Sequence, residues 1–547
     1  MKILRSIIVM ALMVCLSSTP SAFAAKKSIT GTVTCDGKGV AGVVVTDGVN
    51  MTKTNANGAY SLPTKVKDPH CQFVHISIPS GYEVERVGNA PQFYKRVNPE
   101  LRRQSFHFKL KEVDQSSYSV YAIADVHVAN GRFRWNHKED ADRYRASLVK
   151  TLGECVKGAK EPVYIISLGD MTHPGTRPGY KGRTGGYSFK NYMDDTKVDA
   201  PIFNSMGNHD HNRPAVKGTH FTEETVYQSR ADFNRDLGPE YYSFTIGRDH
   251  YVVVDNLFIL TSDAHSTRDL NATTGCWYRL CERQHKWLER DIAALDKTKI
   301  DRIIYVAHAG LLNKKGQFLQ LDGERVANYF KGYDVVALIG HHHADRSQKV
   351  KFNDRPIYQF VHPSGAGTGW YTFDNCEGTP AAIAHYEFNN GKIKRTYVPY
   401  GDNEGIAHYR VYDNGENKWH YPITSRTGTK NKYATEAAAA TAEDKPAILV
   451  NVWGAYTCEF TESTGGRGKS RKRLYDLKYR DWYWPMLERS LAGEVPEVAR
   501  LKKAAWQTPK VGDHIWQYVP MDPDAEIQVV AKDLFGNVIA EFKARAK

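Results

Sequence analysis

The chain has 547 residues, 41% of them hydrophobic and 25% charged, with a formal net charge of +13. That length excludes a single ordinary core and suggests about three domains, and the composition excludes a disordered chain. The positive balance favours anionic partners such as phosphorylated substrates, anionic lipid or nucleic acid.

The N-terminus has the anatomy of a secretory signal peptide over residues 1–24. Lys2 and Arg5 precede the apolar run Ile7 to Leu16, and Ala22-Phe23-Ala24 is a small-x-small cleavage site. Cys15 offers lipidation as an alternative, but Val14 before it is bulky where such sites want a small residue. No later stretch approaches the ~20 apolar residues of a transmembrane helix. The mature protein is therefore expected to be exported, periplasmic or secreted. Of eight cysteines, all but Cys15 remain after cleavage, so at least one is left unpaired. Cys276 with Cys281, and Cys35 with Cys71, are the expected disulfides.

Residues 26–113 read as a small β-sandwich, with short alternating segments separated by Asp-Gly and Asn-Gly turns. They resemble the transthyretin-like or carboxypeptidase-regulatory-like sandwiches common at the front of secreted multidomain proteins, which implies a stabilising or docking module. The stretch "KEVDQSSYS" reads as a polar linker. From 117 to 372 the texture becomes an α/β alternation. "YSVYAIAD", "PVYIISLGD", "APIFNSMG", "HYVVVDN", "RIIYVAH" and "DVVALIG" are predicted strands. "NHKEDADRYRASLVKTLGECV" and "RQHKWLERDIAAL" are predicted helices, the first with Tyr144, Leu148 and Leu152 on one face. Residues 373–547 return to a β-rich texture. They include a hairpin around Asn390-Gly391, a short irregular "TEAAAATAEDK", and a basic run Arg467 to Arg473 that reads as a solvated loop.

Five of the strand runs end in ligand-type residues: Asp125 and His127; Asp170; Asn208, His209 and Asp210; His308; and His341, His342 and His343. In open α/β sheets ligands gather outside the carboxyl ends of strands, so these loops can converge. Imidazole with carboxylate suits divalent zinc, iron or manganese. Any one of these groups alone is more often a plain loop.

In order they read "DVH", "GDMTH", "GNHD", "VAH" and "GHHH". This series resembles the calcineurin-like metallophosphoesterase family, in an exported bacterial form with β-rich accessory domains before and after. The resemblance implies a β-sandwich flanked by helices and two divalent ions. It assigns Asp125, His127 and His343 to the first ion, Asn208, His308 and His341 to the second, and Asp170 as a bridge. It implies attack by a bridging hydroxide, His209 as the catalytic imidazole and Asp210 orienting that ring. His342 is then a spacer. His173 stands where the purple acid phosphatase branch has a tyrosine ligand, so that branch's chemistry is not expected; His173 faces the site or is a loop residue. The expected substrate is a phosphorylated anion, a monoester or a diester. A non-catalytic binding protein on the same scaffold is the rival reading. A nuclease is disfavoured, since no basic–aromatic groove accompanies the site loops. "HPSGAGTGW" either lines the pocket or turns the chain at a domain border.

Overall fold

The computed structural model describes residues 28–63, 72–129, 140–172, 187–260, 271–319 except 274, 322–375 except 368, 371 and 372, 377–413, 447–473 and 514–545. The signal-peptide reading, Cys71, His173 and "TEAAAATAEDK" lie outside these residues. No helix among the described residues is long and apolar enough to cross a membrane.

Two sheets face each other at the centre. One has the spatial order Ile202–Asn204, Val163–Ser167, Ser117–Ile123, Ala382–Asn389, Lys392–Pro399. The other runs Tyr242–Ile246, Asp249–Val253, Arg302–Ala307, Asp334–Ile339, Arg355–Val361, Arg346–Phe352. Alternate residues of a strand point to opposite faces. Val120, Ala122, Ile166 and Phe203 therefore meet Val253, Ile304, Val336 and Leu338 between the sheets. On the outer face of the first sheet, Tyr121, Ile123 and Ile165 are covered by Tyr144, Leu148, Leu152 and Tyr192. On the outer face of the second, Val252, Ile303 and Tyr305 are covered by Trp287, Leu288 and Val326. All six predicted strands form. Burial on both faces is why they read as near-continuous apolar runs.

The first predicted helix forms as Asp140–Tyr144 and Lys150–Gly158, joined by a π-turn over Arg145–Val149. Tyr144, Leu148 and Leu152 are all fully buried. Their strict four-residue spacing drifts off a 3.6-residue face, and the wider turn keeps them aligned on the sheet.

Four expectations need correction. First, the hairpin around Asn390-Gly391 does not open a separate C-terminal unit. Its first strand pairs antiparallel with Ser117–Ile123, from Ser117 opposite Asn389 to Ala122 opposite Ala384. The expected boundary at 372 falls between Arg355–Val361 and Ala382–Asn389, both strands of the central fold.

Second, "KEVDQSSYS" is no loose linker. Gln115 is buried; its Oε1 accepts from the N–H groups of Gly81 at 2.8 Å and Gly247 at 3.0 Å. The N-terminal region forms a five-stranded and a four-stranded sheet. Its Ile29, Val33, Ile76, Phe93 and Phe108 share one continuous core with the central sheets.

Third, Cys35, Cys276 and Cys281 are free thiols. Cys276 packs with Leu257 and Ile259, while Cys281 packs with Phe221 and Trp277 in another cluster. Their short sequence separation spans a strand end and a helix start that turn the side chains into different pockets.

Fourth, most of the basic run Arg467 to Arg473 is a strand, Lys469–Arg473. It pairs with Ile515–Val519 at a sheet edge, where charge discourages pairing with another chain. That sheet and the three strands Thr457–Glu462, Glu526–Lys532 and Val538–Arg545 enclose a C-terminal core of Val450, Trp516, Ile527 and Val529.

Candidate metal centre

The five ligand-bearing loops follow strands of both central sheets. Asp125, Asp170 and Asn208 follow Ser117–Ile123, Val163–Ser167 and Ile202–Asn204 in one sheet. His308 and His341 follow Arg302–Ala307 and Asp334–Ile339 in the other. The site thus sits across the top of the sandwich.

Its backbone is unusual. Asp125, His127, Asp170, His341 and His343 all have φ between 46° and 69°. This left-handed region is disfavoured for residues with a Cβ and persists where surrounding structure enforces it. It turns side chains inward that an ordinary extended exit would splay apart. The glycines of the motifs have a steric purpose. A Cβ on Gly207 would lie 2.2 Å from the Asp170 nitrogen and 2.3 Å from its Oδ1, and one on Gly340 would lie 2.6 Å from Asp125 Oδ2.

The ligand-type atoms form two groups. Donor atoms of Asp125, His127, Asp170 and His343 all lie within 4.8 Å of one another. Asp125 Oδ1 is 3.0 Å from His343 Nε2 and 3.8 Å from His127 Nε2. In the second group Asn208 Oδ1 faces His308 Nε2 at 3.0 Å and His341 Nδ1 at 2.9 Å. Asp170 Oδ2 lies between the groups, 3.7 Å from His127 Nε2 and 3.2 Å from His308 Nε2. His342 contributes no atom to the first group.

The donor set fits cations. Asp125 Oδ1 is buried and makes no hydrogen bond. His308 Nδ1 is 2.7 Å from the Leu168 carbonyl and must donate to it, so Nε2 is the ring atom that faces inward. Burial alone would lower the His308 pKa, but Asp170 and Asp125 outweigh it and push the value up to about 10. The carboxylates thus hold positive charge at this position. Asn208 is informative too. Turned round, its amide would donate to His308, His341 and Asp170 while its oxygen accepts from Arg213 Nη2 at 2.8 Å. That arrangement suits a site without an ion; the inward oxygen suits a cation.

His209 is half-buried, with its ring perpendicular to that of His127 and their centroids 4.8 Å apart. Its backbone N–H donates to Asp170 Oδ1 at 2.6 Å. Asp210 is fully buried. Its oxygens accept from the N–H groups of Asp170 at 2.7 Å, Met171 at 3.0 Å, Thr172 at 3.3 Å and Gly207 at 2.9 Å. These contacts tie the Asp170 loop to the Asn208 loop.

Two supports, Arg213 and Tyr278, carry no sequence signal, and a third comes from the Gly-rich stretch whose place the sequence leaves open. Buried Arg213 donates to the Asn208 carbonyl from Nε at 2.9 Å and Nη2 at 2.7 Å. The Tyr278 hydroxyl lies 2.9 Å from His341 Nε2. The "HPSGAGTGW" stretch backs the first loop instead of turning at a border: Ser364 Oγ donates to the Asp125 carbonyl at 2.8 Å and Trp370 Nε1 to the Val126 carbonyl at 2.8 Å. Only proximity in space marks Arg213 and Tyr278, so no spacing rule finds them.

Several solved structures resemble the chain at low identity. They include the anchor GAP50 of the Plasmodium inner membrane complex (13% identity, TM-score 0.30, covering 52% of this chain and 84% of that one). Another is 5'-nucleotidase from Candida albicans (12%, 0.32, 64% and 61%). A third is the calcineurin-like phosphoesterase YfkN from Bacillus subtilis (11%, 0.25, 60% and 98%). No curated protein matches the chain. Residues 27–113 match the N-terminal region of calcineurin-like phosphoesterases, and residues 118–345, which carry every residue of the centre, match the calcineurin-like phosphoesterase domain. The chain belongs to the calcineurin-like phosphoesterase family.

Proposed function

We propose that the protein is an exported dinuclear-metal hydrolase of phosphomonoesters or phosphodiesters. The supporting observation is Asp170 Oδ2, placed between two groups of inward-facing ligand atoms at 3.2 Å and 3.7 Å from one imidazole of each. Asp125, His127 and His343 would hold one ion, Asn208, His308 and His341 the other, and Asp170 both. Divalent ions of the manganese, iron or zinc kind, when bound, polarise phosphoryl oxygens and make water a nucleophile near neutral pH. The half-buried His209 ring, beside His127, presents an N–H to a phosphoryl or leaving-group oxygen. Asp210 and Arg213 hold the two loops that carry Asp170 and Asn208 at fixed separation. The signal-like residues 1–24 carry the export part of the reading.

The test is the purified full chain assayed on a phosphomonoester, a phosphodiester and pyrophosphate, with metal content measured. We expect two ions per chain and ester turnover that chelation abolishes and divalent metal restores. Full turnover after exhaustive chelation would overturn the reading. Two bound ions without turnover on any ester would favour the non-catalytic scaffold instead.

A further inference from the structure

We infer that Tyr278 is a positioning residue that fixes His341 in the tautomer the second ion needs. The inference rests on the two-ion reading of this same site. His341 has its Nδ1 at 2.9 Å from Asn208 Oδ1 and 3.3 Å from His308 Nε2, so Nδ1 is the atom turned into the centre. Its Nε2 points the other way and meets the Tyr278 hydroxyl at 2.9 Å. The two rings are near perpendicular, at 77° with centroids 5.5 Å apart, so the hydroxyl lies at the imidazole edge and not over its face.

A neutral imidazole carries one proton, and a ligating nitrogen must be the bare one. If Nδ1 takes a cation, the proton is on Nε2 and needs an acceptor. Tyr278 Oη is that acceptor. Left to itself, the hydroxyl could equally donate to Nε2, which would move the proton to Nδ1 and block the centre. A cation at Nδ1 removes that alternative, so the tyrosine and the ion reinforce one another.

Placement adds rigidity. Tyr278 ends the strand Cys276–Tyr278, paired with Leu257–Ile259, where Leu257 stands opposite it. Trp277 and Cys276 beside it are buried in two separate apolar clusters. The hydroxyl is therefore held by packing that does not involve the ligands. His341, by contrast, sits at φ 69° on a loop and needs an external brace. Outer partners of this kind on ligating histidines typically contribute 10–100-fold in metal affinity.

The experiment compares the full-length wild type with Tyr278→Phe, which keeps the ring and deletes the hydroxyl. Metal affinity at each site is measured by chelator competition with zinc and manganese, alongside the melting temperature of the metal-free proteins. We expect Tyr278→Phe to weaken one of the two ions by about 10- to 100-fold, leave the other within about twofold, and melt like the wild type when metal-free. Equal affinities for both ions in the two proteins would overturn the assignment of Tyr278 while leaving the two-ion reading intact. Loss of both ions together with a lowered metal-free melting temperature would mark a packing role and overturn it as well. A wild type that binds fewer than two ions would instead bring down the reading beneath it. His341→Ala serves as the reference for complete loss of the second ion.

Discussion

Arg395 and Asp345 form a buried ion pair, Nη2 to Oδ1 at 3.2 Å, two residues beyond His343. The same guanidinium donates to the Gly454 carbonyl at 3.1 Å, and the Gly454 N–H donates to Asp345 Oδ2 at 2.6 Å. The C-terminal sandwich is thereby pinned to the loop that carries His343. Breaking one side of such a pair leaves a buried charge without its partner, which costs about 3–5 kcal/mol.

A chain ending at residue 400 keeps the whole central sheet but loses Gly454 and Asp533, which accepts from the Arg395 N–H at 3.0 Å. We expect it to melt clearly below the intact chain. Metal affinity should fall most at the site with His343. Equal melting and equal metal content would show that the C-terminal region is a tether.

Removal of residues 28–113 should be at least as damaging. Tyr241 donates to the Gly48 carbonyl at 2.8 Å from a buried position, and the Thr245 N–H donates to the Ile78 carbonyl at 2.8 Å. The apolar core runs through this boundary, so the shortened chain exposes it. Soluble yield and thermal melts decide the matter; a shortened chain as stable as the intact one would contradict it.

His209→Ala should keep both ions and lower turnover about 100-fold or more. Asp170→Asn should lose metal, because its Oδ2 faces both groups. Elemental analysis of both variants, paired with kcat on the best ester, separates binding from chemistry. Full kcat in His209→Ala would remove that residue from the mechanism.

Gly207→Ala tests the close approach of two loops. The added methyl would meet the Asp170 nitrogen at 2.2 Å, and backbone cannot move aside cheaply. We expect about 1–3 kcal/mol of destabilisation and reduced metal content at both sites. Wild-type metal content would mean that the loops have slack.

Glu377 offers a pH test. It is fully buried, its Oε1 accepts from the Asp345 N–H at 2.9 Å, and its Oε2 makes no hydrogen bond. Burial pushes its pKa up to about 7 from the model-peptide value of 4.5. Between these values the folded chain holds a proton that the unfolded chain has released. Stability therefore falls as pH rises from 4.5 to 7 and flattens above, by at most about 3 kcal/mol. Glu377→Gln should remove that slope from denaturant titrations across the window. An unchanged slope would place the titration elsewhere.

Strands and candidate ligand groups were legible because each depends on short-range pattern. Apolar runs such as "DVVALIG" form strands buried on both faces, and the residues just after them are forced to a sheet end whatever the rest of the chain does. The order "DVH", "GD", "GNHD", "VAH", "GHHH" therefore pointed to one centre at the top of one sandwich. Where a unit begins or ends was not legible. Residues 382–399 return to the sheet beside Ser117–Ile123, a pairing across more than two hundred positions that no local signal announces. The same holds for Arg213 and Tyr278, which brace the site through contacts made only once the sheets have packed. It holds for the left-handed backbone of five site residues, too, since strain of that kind is imposed by surrounding structure and not by the residues that bear it. Local pattern decides which groups can carry chemistry; long-range packing decides which way each one faces.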